Sequence, residues 1–122
     1  MLRLIQVVVG MAMLLLMTVS SFATPSFLNY QGVLTNANGT PVSIGTYTMN
    51  FRIYNHETSS NPANLEWGPE EHSVVVASGG SFHVKLGANL PNIGAAFSGG
   101  DRWLGVTIGL DAEMTPRTSI GS

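Results

Sequence analysis

Apolar and polar residues alternate along much of this chain. In "TYTMNFRIY", Tyr47, Met49, Phe51 and Ile53 share one parity, and Thr46, Thr48, Asn50 and Arg52 share the other. That period of two predicts a half-buried strand with one apolar and one polar face. "SFHVKL" repeats it with Phe82, Val84 and Leu86 inward, and "RWLGVTIGL" with Leu104, Val106, Ile108 and Leu110 inward. "FLNYQGVL" and "EHSVVVA" complete five expected strands. No helical period is sustained after Ala23, although "NIGAAF" allows one helical turn.

Turn residues punctuate the strands: Asn38-Gly39, Ser43 to Gly45, Ser59 to Pro62 and Gly79-Gly80. Gly79-Gly80, between "VVVAS" and "SFHVKL", predicts a tight hairpin. The longest irregular connection, Gly87 to Asp101, suits either a crossing between two sheets or a binding loop. The expected fold class is all-β: an antiparallel β-sandwich (Ig-like or prealbumin-like), preceded by an N-terminal signal helix.

The glycines at 32, 39 and 45 raise the question of a phosphate loop. Such a loop needs closely spaced glycines after a strand and opening a helix, with a lysine on the phosphates. Here the lysine is absent and a strand follows, so "NANGTP" reads as a β-turn. "NGT" is also a glycosylation sequon in form.

The leader changes the picture of location. Arg3 precedes an uncharged apolar run from Leu4 to about Val19, and Ser21-Phe22-Ala23 supplies small residues at minus three and minus one. This predicts a signal peptide over 1–23 and one domain over 24–122. A retained membrane anchor is the alternative, since the run is near the lower spanning limit of about 17 residues. Both place the folded part outside the cytoplasm. No cysteine is present, so no disulfide supports this small domain. Without Arg3, four basic against seven acidic residues leave a formal charge of −3. There is no basic patch, which disfavours nucleic acid and, after leader cleavage, a membrane as partners.

"LNYQGVLTNANGTPVSIGTYTMNFRIYN", "LEW", "GGSFHVKLG" and "RWLGVTIGLDAEMTPRT" occur in this order. The set resembles the N-terminal β-rich domain of uncharacterised bacterial secreted proteins, some with tail-fibre-like or chaperone-type C-terminal regions. The resemblance implies no catalytic residues. It implies that the domain is the first module of a longer protein and that a strand or linker follows "EMTPR".

Candidate chemistry is sparse. His56, His72 and His83 stand at no metal-ligand spacing. Asp101, Asp111 and Glu113 are spaced as solvated turns rather than as a calcium loop. Glu66, Glu70 and Glu71 cluster in sequence, but a domain this small offers little cleft for a carboxylate pair. No cysteine, G-x-S-x-G or based serine supplies a nucleophile. Arg102 and Arg117 are expected to form surface pairs with Asp101 or Glu113. Trp103, Trp67 and Tyr54 are the candidate ligand or partner contacts: Trp103 shares its face with Gly105 and Gly109, as a stacking platform or a packing ring would.

The sequence therefore predicts a non-enzymatic, extracytoplasmic structural or interaction module with no cofactor and no metal. Its expected partner is a downstream domain or another protein chain. A carbohydrate-binding module is the alternative. The interaction reading predicts an exposed apolar patch or free sheet edge near Thr115 to Ser122.

Overall fold

The computed structural model describes residues 2–9 and 27–121. Among them the chain is all-β, with two antiparallel sheets and no α-helix. The strands are β1 (Leu2–Val9), β2 (Leu28–Asn36), β3 (Gly45–Tyr54), β4 (Leu65–Val76), β5 (Ser81–Leu86), β6 (Arg102–Ile108) and β7 (Thr118–Gly121). One sheet has the order β1-β2-β5 and the other β4-β3-β6-β7. Short 3-10 turns occur at Pro62–Asn64, Ser78–Gly80 and Ile93–Phe97, the last where one helical turn was expected.

Alternation builds one core between the sheets. Leu28, Tyr30 and Leu34 of β2, Met49, Phe51 and Ile53 of β3, Phe82 and Leu86 of β5, and Leu104 and Ile108 of β6 all face it. Burying each such side chain stabilises the fold by about 1.5–3 kcal/mol. Tyr30 meets the Phe51 edge with ring centroids 5.8 Å apart and Phe82 at 6.1 Å, joining the two sheets through aromatic contacts. The Gly87 to Asp101 connection crosses from β5 in one sheet to β6 in the other and plants Ile93 and Ala96 in the core.

Four expectations need correction. A helix was expected over the leader, but Leu2–Val9 forms β1, antiparallel to β2. "LIQVVV" is rich in β-branched residues, and a short apolar run fits a buried strand as well as a helix. Residues 10–26, the rest of the leader and its exit, lie outside the described residues.

The strand expected at "EHSVVVA" starts six residues earlier, at Leu65. Trp67 registers with Ile53 and Glu70 with Phe51, so Gly68 and Pro69 together oppose Arg52. This bulge shifts the parity of β4. Trp67 points inward before it, and Glu70, Val74 and Val76 point inward after it. Pro69 is tolerated because β4 is an edge strand. Gly68 has φ +108°, and a side chain there would strike the Phe51 carbonyl.

The tight hairpin expected at Gly79-Gly80 is a corner instead, since β4 and β5 belong to different sheets. Ala77 N–H donates to the Ser81 carbonyl (2.9 Å) and Gly80 N–H to the Ala77 carbonyl (2.9 Å). Gly80 is buried, and a side chain there would collide with the Leu34 carbonyl of β2. Finally, Leu110 does not continue the inward row of β6. The strand ends at Ile108, Gly109 N–H bonds the Thr48 carbonyl, and Leu110 is fully exposed.

Gly79 and Gly80 separate backbone conformation from close packing. Both have positive φ, but a side chain at Gly79 meets open space. Gly79→Ala should cost about 1 kcal/mol of unfolding free energy, and Gly80→Ala about 3 kcal/mol or more because a backbone collision is added. Urea unfolding of both variants checks this; equal losses would contradict the packed corner.

Candidate functional site

Polar ties organise the second sheet, and the outermost forms around Arg117. The segment after β6 runs back along that strand, with Met114 N–H donating to the Val106 carbonyl (2.8 Å). This sets Glu113 over Gly105, where a side chain would collide with its carboxylate. Arg117 then donates from Nε to Glu113 Oε1 (2.8 Å) and from one terminal nitrogen to the His56 (3.0 Å) and Ser59 (2.9 Å) carbonyls. Its guanidinium carbon lies 3.6 Å from the Tyr54 ring centroid. The Arg117 side chain is only 2% exposed, so this is a desolvated clamp rather than the surface pair expected. His56 Nδ1 in turn accepts from the Thr58 and Ser59 amides, shaping the loop that Arg117 holds.

Arg102 is the second buried cation. It donates to the Ala96, Ser98 and Asp101 carbonyls, with a Glu66 carboxylate oxygen at 3.8 Å. It therefore fixes the end of the long crossing, and its link to Asp101 is to the backbone and not to the carboxylate.

Glu70 is the third tie. The β4 bulge turns it inward, where it is 2% exposed. Its carboxylate accepts from the backbone amides of Gly87, Asn89 and Leu90 and from His72 Nε2 at 2.7 Å. Burial alone would raise its pKa, but the His72 bond and the three amides outweigh that and hold it below the ordinary glutamate value. A carboxylate so held is ionised and fully engaged, and it joins β4 to the loop after β5. Neither a proton donor nor a nucleophile is offered there.

The sequence candidates separate. Tyr54 and Trp103 are cross-strand partners, and Trp103 registers with Ser119 on its other side. Trp67 registers with Ile53 and lies in the core. Tyr54 is buried beneath Arg117, and Trp103 is half-buried. His83 is exposed on β5 opposite Gln31, in the other sheet from His72. Among the described residues, no three His, Asp or Glu side chains are grouped to hold a metal ion. No helix there is long and apolar enough to cross a membrane. Sequence reasoning missed Glu70, Arg102 and Arg117 as buried ties. The spacing of Glu113 and Arg117 was visible, but the loop carbonyls that complete the clamp come from about sixty residues away.

The sheet edges are the other feature of note. β4 and β5 meet at the Ala77–Gly80 corner, and β1 and β7 are the edge strands at the other end of their respective sheets. No described strand pairs with β7 beyond β6, and Ile120 of β7 is buried in the core.

Residues 29–117 match the family described as Domain of unknown function (DUF8740). The chain belongs to the DUF8740 family. No curated protein matches it, and no solved structure does. The DUF8740 match begins within β2 and ends at Arg117, taking in both buried arginines and Glu70 and leaving β1 and β7 outside.

Two variants test the ties. Glu70→Gln should cost about 2 kcal/mol of stability near neutral pH. Because the folded pKa is lowered, the Glu70 contribution is complete above the unfolded value of about 4.3 and fades as pH falls through the folded one. The gap between parent and variant should therefore close only in acid; urea midpoints across pH read it directly. Arg117→Lys keeps the charge but loses the planar fork, and should cost about 2 kcal/mol. A loss below about 0.5 kcal/mol would mark an ordinary surface pair.

Proposed function

We propose that this DUF8740 chain is an extracytoplasmic, non-enzymatic β-sandwich module of a bacterial envelope or fibre-like protein, of Ig-like or prealbumin-like type. Its leader directs export and is cut after Ala23. The domain then works by packing against a following domain or another chain, including strand addition at an open sheet edge.

The observation that carries this reading is the outer edge of β7, which no described strand pairs. It follows directly on Arg117 and its clamp. Unpaired backbone on an edge is a template for another strand. A second feature points the same way. The exposed large apolar residues Ile44, Val75 and Leu110 fall at one end of the second sheet: Ile44 precedes β3, Val75 registers with Thr46 near the start of β3, and Leu110 follows the Gly109–Thr48 bond. Three of the carboxylates are held in structural bonds. Glu70 is saturated by donors, Glu113 is taken by Arg117, and Glu66 accepts from Asn55 at 2.6 Å. A glycan platform is the weaker reading, because Arg117 covers Tyr54 and Trp67 faces the core.

The test is fractionation of an exporting bacterial host, with intact-mass spectrometry of the product. The expected result is a chain beginning at Thr24 in the envelope or medium. A product beginning at Met1 and confined to the cytoplasm would overturn the reading.

A further inference from the structure

β2 is the central strand of its sheet, hydrogen-bonded to β5 on one side and β1 on the other. Its partner β5 is permanent: Leu28 registers with Leu86, Tyr30 with Val84 and Gly32 with Phe82. Its partner β1 is drawn from the leader, within the segment proposed for removal. Leu4 registers with Leu34, Val7 with Gly32, Val8 with Gln31 and Val9 with Tyr30. Leu34, Gly32 and Tyr30 are the inward-facing positions of β2, and Tyr30 and Leu34 are fully buried. Cutting after Ala23 therefore leaves a two-stranded sheet, β2-β5, over a core built for three. It also removes the strand that registers with Tyr30 to Leu34 of β2, beside two of the most buried side chains in the protein. Two-stranded sheets are marginal on their own, and unpaired backbone next to an apolar core is costly.

We propose that the processed chain accepts, at the outer edge of β2, an extended, apolar, uncharged segment of another polypeptide, antiparallel to β2 and in the register β1 occupies before cleavage. This rests on the proposed export and cleavage. The chemistry of the occupant is taken from β1. Its only charge is Arg3, near the strand end, and "VVV" lies opposite Tyr30 to Gly32. The family match starts within β2, so the strand that completes this sheet lies outside the matched DUF8740 region.

The experiment uses the processed chain recovered from the exporting host, its mass confirmed, titrated with a fluorescent peptide of residues 2–9. Saturable one-to-one binding is expected. It should weaken at least about tenfold when the peptide carries Val7→Lys and Val9→Lys, since these positions register with Gly32 and Tyr30, which are buried in β2. In a Val8→Cys, Gln31→Cys chain, the disulfide retains β1 after cleavage, and binding should fall by a similar factor. A processed chain that folds only when the peptide is added supports the proposal equally. A folded chain that ignores the peptide overturns it, as does a chain that neither folds nor binds. A stable dimer in sedimentation that excludes the peptide overturns it in favour of self-association. A recovered product that still begins at Met1 fails at the export reading instead, and its mass tells the two failures apart.

Discussion

A strand inside a sheet must satisfy its backbone on two sides, and β2 is the strand for which this constraint is hardest to meet. β3, its counterpart across the core, is flanked by β4 and β6, both within the matched family region. β2 has one flank of that kind, β5, and one drawn from the leader. Yet Tyr30 and Leu34 carry as much of the core as Phe51 and Ile53 do. The two sheets thus share a core equally, while the family match covers both flanks of β3 and only one of β2.

Two of the polar ties lie at the second sheet and one spans both sheets. Arg102 and Arg117 lock the loops at one end of the β3–β6 pair, and Glu70 fastens β4 to the loop after β5. Each supplies charge-assisted bonds to a backbone segment that would otherwise need water.

The strands themselves were legible because their inward rows keep strict parity: Met49, Phe51 and Ile53, then Phe82, Val84 and Leu86. What was not legible is what breaks parity. The single extra residue at Gly68-Pro69 turns Glu70 inward, and no periodicity centred on "VVV" carries across that bulge. Gly79-Gly80 signals a turn but not whether the flanking strands share a sheet; that depends on Gly80 seating against Leu34, a contact distant in sequence. Tyr54 has the parity of a surface residue and is buried only because Arg117 folds over it. The leader was ambiguous for a physical reason as well, since a short β-branched run satisfies a helix in one solvent and a sheet edge in another.

The most direct measurement of the central claim is residue-resolved amide hydrogen exchange on the unprocessed and the processed chain, compared strand by strand. If a removable strand supplies the second partner of β2, cleavage should accelerate exchange at the β1-facing amides of β2 between Tyr30 and Thr35 and leave Met49, Phe51 and Ile53 of β3 unchanged. Equal protection of β2 in a monomeric chain before and after cleavage would contradict the account.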